Sequence, residues 1–142
     1  MRRILLISSF ASFAALLPAM ATAGTLEIAV SAPSASRGEI GCALFKDEVG
    51  FPMNPARAQR VFVKASPQTV CRYENLAPGN YAVAVSLDLN GNRRTDKNFI
   101  GIPTEAWGVS NNARPTMRSP RFAEARFAVP AEGRRIQIEV RR

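Results

Sequence analysis

The chain has 142 residues, of which 46% are hydrophobic and 21% charged, with a formal net charge of +8 and no histidine. This length is enough for one domain with its own core. The absence of histidine excludes a Ser–His–Asp triad, a Cys–His pair and histidine-ligated zinc. The excess of arginine favours solubility and contact with anionic groups, without defining one partner.

The first 23 residues are predicted to form a signal peptide, and residues 24–142 a single β-sandwich domain. Two arginines precede an apolar run over residues 4–17, and small residues lead to a cleavage site after Ala23. The run is shorter than the roughly 20 residues of a membrane-spanning helix. We therefore expect a periplasmic or secreted protein without a transmembrane segment in the mature chain. Nucleic acid is not an expected partner there.

Alternation of apolar and polar residues predicts about seven short strands. They lie at residues 25–31, 39–46, 59–65, 69–73, 81–87, 126–129 and 135–141. Between the fourth and fifth strands, Pro78-Gly79 predicts a type II turn with a positive φ at Gly79. Ser119-Pro120 predicts the start of one short helical turn. The fold class is therefore all-β, an antiparallel sandwich with one long ordered loop.

Cys42 and Cys71 are the only cysteines of the chain. An even pair in an oxidising compartment predicts a disulfide. Closing a loop of about 30 residues would stabilise the fold by about 3–4 kcal/mol on the chain-entropy model. The alternative is a pair of buried free thiols.

The segment 88–112 follows the most regular predicted strand and concentrates oxygen-bearing side chains. Four of them occupy positions 1, 3, 5 and 9 of a calcium-binding loop, and a backbone carbonyl falls at position 7. The candidate calcium ligands are Asp88, Asn90, Asn92, Asp96, the Arg94 carbonyl and, from further on, Glu105. The match is partial, because Arg93 occupies the position of the turn glycine and Phe99 that of the bidentate glutamate. The alternative is a network of Asx turns without an ion.

The end of the same segment contains candidate ligand-binding residues. They are Trp107, Ser110, Asn111, Asn112, Arg114 and Arg118, with Arg121 close by. The indole of Trp107 could stack on a ligand, or it could bury the loop on the sandwich. The serine and the two asparagines could bind sugar hydroxyls, or they could satisfy the loop backbone.

Three stretches carry a resemblance to a known family: YENLAPGNYAVAV, DLNGNRRTD and GIPTEAWGVSNN. In this combination the chain resembles domain of unknown function 2141, a family of small exported bacterial proteins. The likeness extends upstream to Gly50-Phe51-Pro52 and downstream to Phe127. It implies an immunoglobulin-like or prealbumin-like fold and attaches no activity.

The residues favour a non-catalytic binding or structural module of the cell envelope that presents the 88–112 segment. The expected partner is a glycan, an anionic lipid or another protein. The first alternative is a structural module stabilised by calcium. The second is a small hydrolase that uses the carboxylate pair Asp96 and Glu105. We do not expect an enzyme, and no cofactor other than calcium is indicated.

Overall fold

Two β-sheets packed face to face make up the body of the protein in a computed structural model that describes residues 23–33, 35 and 37–142. The predicted signal peptide lies outside these residues, apart from Ala23. The eight strands found in this part are β1 Gly24–Ser31, β2 Glu39–Phe45, β3 Gln59–Lys64, β4 Gln68–Leu76, β5 Gly79–Asp88, β6 Trp107–Val109, β7 Phe127–Val129 and β8 Arg134–Glu139. The predicted all-β sandwich is confirmed.

The first sheet has the order β4-β1-β8, and the second has the order β3-β2-β5-β6, with β7 also paired to β5. Most neighbours are antiparallel, as predicted. The pair β1–β8 is parallel, with Leu26 opposite Arg134 and Ser31 opposite Glu139. The sandwich is therefore antiparallel except at this pair. Among the described residues, no helix combines the length and the hydrophobicity needed to cross a membrane.

The core lies between the two sheets and follows the alternation seen in the sequence. Leu26, Ile28 and Val30 of β1 are fully buried. They face the inward side chains of β5. Val83 and Val85 of that strand belong to the same apolar cluster. Burial of side chains of this kind contributes about 1.5–3 kcal/mol each, so the alternation fixes which face of each strand points inward.

A second, smaller apolar cluster covers the outer face of the second sheet. It is built on Ala82 of β5, Val109 of β6 and Ala125 of the short helix α1 (Phe122–Ala125), with Phe51 and Phe122 packed on it. The rings of Phe51 and Phe122 meet edge to face at 5.9 Å. The segment after β6 is thereby held against the sheet.

Two local predictions differ from the structure. The chain reaches positive φ at Asn75 rather than at Gly79, which begins β5. Asparagine tolerates this conformation because its short side chain can hydrogen-bond locally. The short helix begins at Phe122 rather than beside Ser119, and the Glu124 carboxylate accepts a bond of 2.8 Å from the Arg121 amide at its first turn.

The predicted disulfide between Cys42 and Cys71 is confirmed, with Cα atoms 6.6 Å apart. Cys42 lies on β2 and Cys71 on β4, so the bond joins the two sheets across the core. Tyr73 adds a second tie, because its buried hydroxyl donates to the Cys42 carbonyl at 2.8 Å. Burial raises the pKa of the Tyr73 hydroxyl far above its usual range, so this donor stays protonated.

Reduction of the disulfide is expected to lower the free energy of unfolding by about 3–4 kcal/mol, because the unfolded chain regains the freedom of the closed loop. Urea denaturation of the oxidised and reduced protein measures the difference. The double variant Cys42→Ala/Cys71→Ala is the control, since its unfolding should not respond to reductant. Identical midpoints for oxidised and reduced wild-type protein would contradict the prediction.

Candidate functional site

The long connection after β5 begins at a buried carboxylate. Asp88 is 1% exposed, and its Oδ1 accepts hydrogen bonds from the amides of Gly91 at 2.7 Å and Asn90 at 3.2 Å. Its Oδ2 accepts a bond of 2.6 Å from the amide of Arg93. Gly91 has a φ of 76°, a conformation that glycine adopts without steric cost. The chain therefore folds tightly around this side chain as it leaves the sheet.

A second buried carboxylate holds the connection from its other end. Glu105 is 5% exposed, and it lies two residues before the start of β6. Its Oε1 accepts a bond of 3.0 Å from the Leu89 amide, and its Oε2 accepts one of 3.2 Å from the Asp96 amide. Buried amides that are left without an acceptor are costly. The two acidic side chains thus anchor the backbone between them to the end of the sandwich.

The oxygen-bearing side chains predicted as calcium ligands lie close together. The side-chain amides of Asn90 and Asn92 donate to the two oxygens of Asp96 at 2.6 and 2.8 Å. The backbone amide of Asn92 donates to Asn90 Oδ1 at 3.1 Å, and the backbone amide of Arg94 donates to Asn92 Oδ1 at 2.8 Å. These bonds form the Asx-turn network that is the alternative to an ion. In the described part of the chain, no group of three or more His, Cys, Asp or Glu side chains is placed to hold a metal.

Arg93 fastens the connection to two strands of the second sheet. Its guanidinium forms an ion pair with Glu39 of β2, with Nε 3.1 Å from Oε2, and it lies 4.6 Å from the ring centre of Phe62 of β3. Hydrogen bonding to Glu39 raises the pKa of Arg93. The pairing joins residues 54 apart in sequence, so no local pattern could have indicated it. The positive charge of this side chain points to Glu39 and not into the oxygen cluster.

Trp107 lies in β6 and is half-buried against the small cluster on the outer face of the second sheet. The guanidinium of Arg114 covers its ring at 4.1 Å from the centroid. The same guanidinium donates to the carbonyl of Trp107 at 2.7 Å and to that of Arg141 at 2.9 Å. Partial burial lowers the pKa of Arg114. The indole thus contacts both the apolar cluster and the guanidinium of Arg114.

The Ser110-Asn111-Asn112 run joins three elements. Ser110 is fully buried, accepts from the Val83 amide at 2.9 Å and donates to the Ala125 carbonyl at 2.6 Å. Asn111 donates to the carbonyls before and after that alanine, each at 3.0 Å. Asn112 accepts from the Glu139 amide of β8 at 2.9 Å. The side chains of this run therefore satisfy backbone groups of β5, α1 and β8.

Arg118 contacts the short helix and not the oxygen cluster. Its guanidinium donates to both oxygens of Glu124, at 2.9 and 2.6 Å. The bonds from Arg118 and from the Arg121 amide lower the pKa of Glu124 to about 2. The pair is therefore ionised throughout the physiological range, and Arg118 already has an anionic partner.

Sequence reasoning missed the part of the connection that is most exposed. Phe99 is 99% exposed, Ile100 63% and Ile102 54%. They lie at the end of a small hairpin in which Lys97 is bridged to Pro103. The available signal was an apolar F-I-G-I run inside a polar loop, where neither a strand nor a core helix was expected.

A family model for bacterial proteins, described as "Uncharacterized protein conserved in bacteria (DUF2141)", matches residues 28–137. The chain belongs to the DUF2141 family. The resemblance inferred from the loop motifs is thereby confirmed. The match runs from β1 to β8 and includes the whole 88–112 segment, so the anchored connection is part of the DUF2141 domain. No curated protein and no solved structure matches the chain.

Replacing Asp88 by asparagine is expected to lower the free energy of unfolding by about 1–3 kcal/mol, because the new NH2 group would face a backbone amide that loses its acceptor. Asp47→Asn is the matched control, since Asp47 is exposed and binds one amide, that of Val49, at 2.9 Å. Its change should stay within about 0.5 kcal/mol. Urea denaturation in the presence of a chelator compares the two, and equal losses would argue against the anchoring role of Asp88.

Proposed function

We propose that this DUF2141 protein is a non-catalytic binding module of the bacterial cell envelope, whose contact surface is the hairpin of residues 97–103. The observation that carries the proposal is the exposure of Phe99, Ile100 and Ile102 on a connection that is otherwise tied down by buried carboxylates. Adjacent exposed apolar side chains on a folded protein are typical of interaction sites. A rigid base keeps such a surface preorganised, which reduces the entropy lost on binding.

The contacts of the acidic residues support binding over hydrolysis. Both oxygens of Glu105 accept backbone amides, and the side chain is almost fully buried. Both oxygens of Asp96 accept side-chain amides of asparagine. A glycosidase-like mechanism requires two carboxyl groups that flank an open cleft. These two carboxylates are instead occupied in holding the loop.

The contacts of Trp107 and its neighbours favour the hairpin over the Trp107 region as the binding surface. Ser110 and both following asparagines bind backbone groups, and Arg114 stacks on Trp107. A ligand there would have to displace these bonds. A ligand at the hairpin would not have to displace such bonds, since the large side chains there project into solvent. The proposal therefore assigns the Trp107 region a supporting role and the hairpin the contact.

The proposal can be tested with a photo-crosslinking amino acid introduced at position 99 of the protein produced in its native bacterium. We expect adducts with an envelope component at this position, because the replaced ring is fully exposed at the contact surface. Mass spectrometry of the adducts distinguishes protein, glycan and lipid.

The matched control places the same amino acid at Val49, which is 52% exposed. Glu39 lies opposite Asp88 and Phe45 lies opposite Ala82, so the loop after Phe45 is at the other end of the sheet. Adducts at position 49 that equal those at position 99, or no adducts at position 99, would contradict the proposal.

A second candidate function is a calcium-stabilised structural module, which is favoured by the convergence of Asn90 and Asn92 on Asp96. The oxygens of the two amides and of Asp96 would have to turn toward a shared ion, and calcium prefers oxygen ligands of this kind. Asp88, the Arg94 carbonyl and Glu105 would complete the set predicted from the sequence. The calcium would be structural, because all of its ligands would come from the 88–112 connection itself.

Calcium binding would raise the melting temperature, since a ligand at about 100 times its Kd stabilises the folded state by about 2.7 kcal/mol. Thermal unfolding with a chelator and with millimolar calcium measures the shift. The Asp96→Asn variant should lose the shift, whereas Asp47→Asn at the opposite end should keep it. The same melting temperature of wild-type protein in both conditions would eliminate this candidate.

A further inference from the structure

The middle of the 88–112 connection, residues 96–104, is a hairpin held by its own backbone. The Thr104 amide donates to the Asp96 carbonyl at 2.8 Å, and the Asn98 amide donates to the Ile102 carbonyl at 2.9 Å. Asn98 Oδ1 accepts from the amides of Ile100 and Ile102 at 3.1 and 2.9 Å. The turn is therefore formed without packing of its large side chains. Those side chains are free to contact something else.

The apolar residues of this turn form a projection rather than a groove. Phe99 is 99% exposed, which means that none of the residues the structure describes shields its ring, and Ile100 and Ile102 beside it are more than half exposed. Gly101 between them has a φ of 84°, so the backbone reverses within these few residues. A convex apolar end needs a deep matching pocket on a folded partner. The fluid interface of a bilayer accepts it without one.

The acidic and the basic side chains around the hairpin differ in their surroundings. The acidic side chains Asp88, Asp96 and Glu105 accept hydrogen bonds inside the connection. The basic side chains Arg94 and Lys97 are exposed. Lys97 lies at the start of the hairpin, and Arg94 lies three residues before it. Exposed lysine and arginine beside an anionic membrane contribute about 1 kcal/mol each, so the arrangement is complementary to such a surface.

We propose that residues 97–102 form a membrane-contacting tip that inserts into the surface of an anionic bilayer. Phe99, Ile100 and Ile102 enter the boundary between headgroups and acyl chains, while Lys97 and Arg94 contact lipid phosphates. This inference rests on the proposed binding function and names its partner. A small apolar tip of this kind binds reversibly, because stable anchoring needs a second signal.

The experiment uses protein exported and processed by its own bacterium, with the N-terminus determined by mass spectrometry. Co-sedimentation compares vesicles of phosphatidylethanolamine and phosphatidylglycerol with vesicles of phosphatidylcholine alone. Wild-type protein should bind the anionic vesicles, and binding should weaken at high salt. Phe99→Ser should reduce the partition constant about tenfold. Lys97→Glu should reduce it about fivefold or more.

Two variants at the opposite end of the sandwich are matched controls. Val49→Ser removes a side chain about as exposed as that of Ile102, and Lys46→Glu reverses an exposed charge. Both should bind vesicles like the wild type. All four variants should unfold at the wild-type urea midpoint, because the altered side chains are exposed.

Equal binding to neutral and anionic vesicles, no binding to either, or equal losses in the tip and control variants would overturn the membrane inference. If position 99 then still crosslinks to a protein or a glycan in the native envelope, the binding function stands with a different partner. If crosslinks are absent as well, both proposals fail.

Discussion

The hydrogen bonds of the Asp88 carboxylate are the constraint on which the rest of the structure depends. Strand β5 ends there, and the following amides have no neighbouring strand to bind. One side chain accepts three of these amides, which allows the backbone to turn within the protein instead of running into solvent. Glu105 does the same where the chain returns to β6. These two side chains hold the backbone from Leu89 to Asp96, from which Arg93 reaches Glu39 and after which the hairpin begins.

Much of the scaffold could be predicted from local sequence, because the features that decide it are local. Leu26, Ile28 and Val30 alternate with polar residues, and this alternation alone assigns the inner face of β1. Cys42 and Cys71 could be paired because no other cysteine competes. The order of the 88–112 connection could be anticipated from its density of Asp and Asn, which bind backbone amides over short separations.

The remaining features depend on contacts between distant residues. The three residues of β6 are too few to show a period, and they form a strand because β5 offers an open edge beside them. The contact of Arg93 with Glu39 depends on the register of β2 with β5, which brings Glu39 opposite Asp88. The exposed position of Phe99 could not be inferred either, since an apolar residue in a loop is as often folded back on the core. Its exposure of 99% is seen in the folded structure, where the turn is held by bonds to Asn98 and not by packing of Phe99.

The parallel pairing of β1 with β8 means that the first sheet is complete only when β8 has formed. The sheet that contains the first strand is finished by the last one, so residues near both ends must meet before it closes. Such long-range closure is slow compared with local hairpin formation. A chain that terminates before Arg134 would leave the amides and carbonyls along one side of β1 uncovered, and an uncovered strand readily pairs with other chains. Loss of the residues from Arg134 onward would therefore make the fold prone to aggregation.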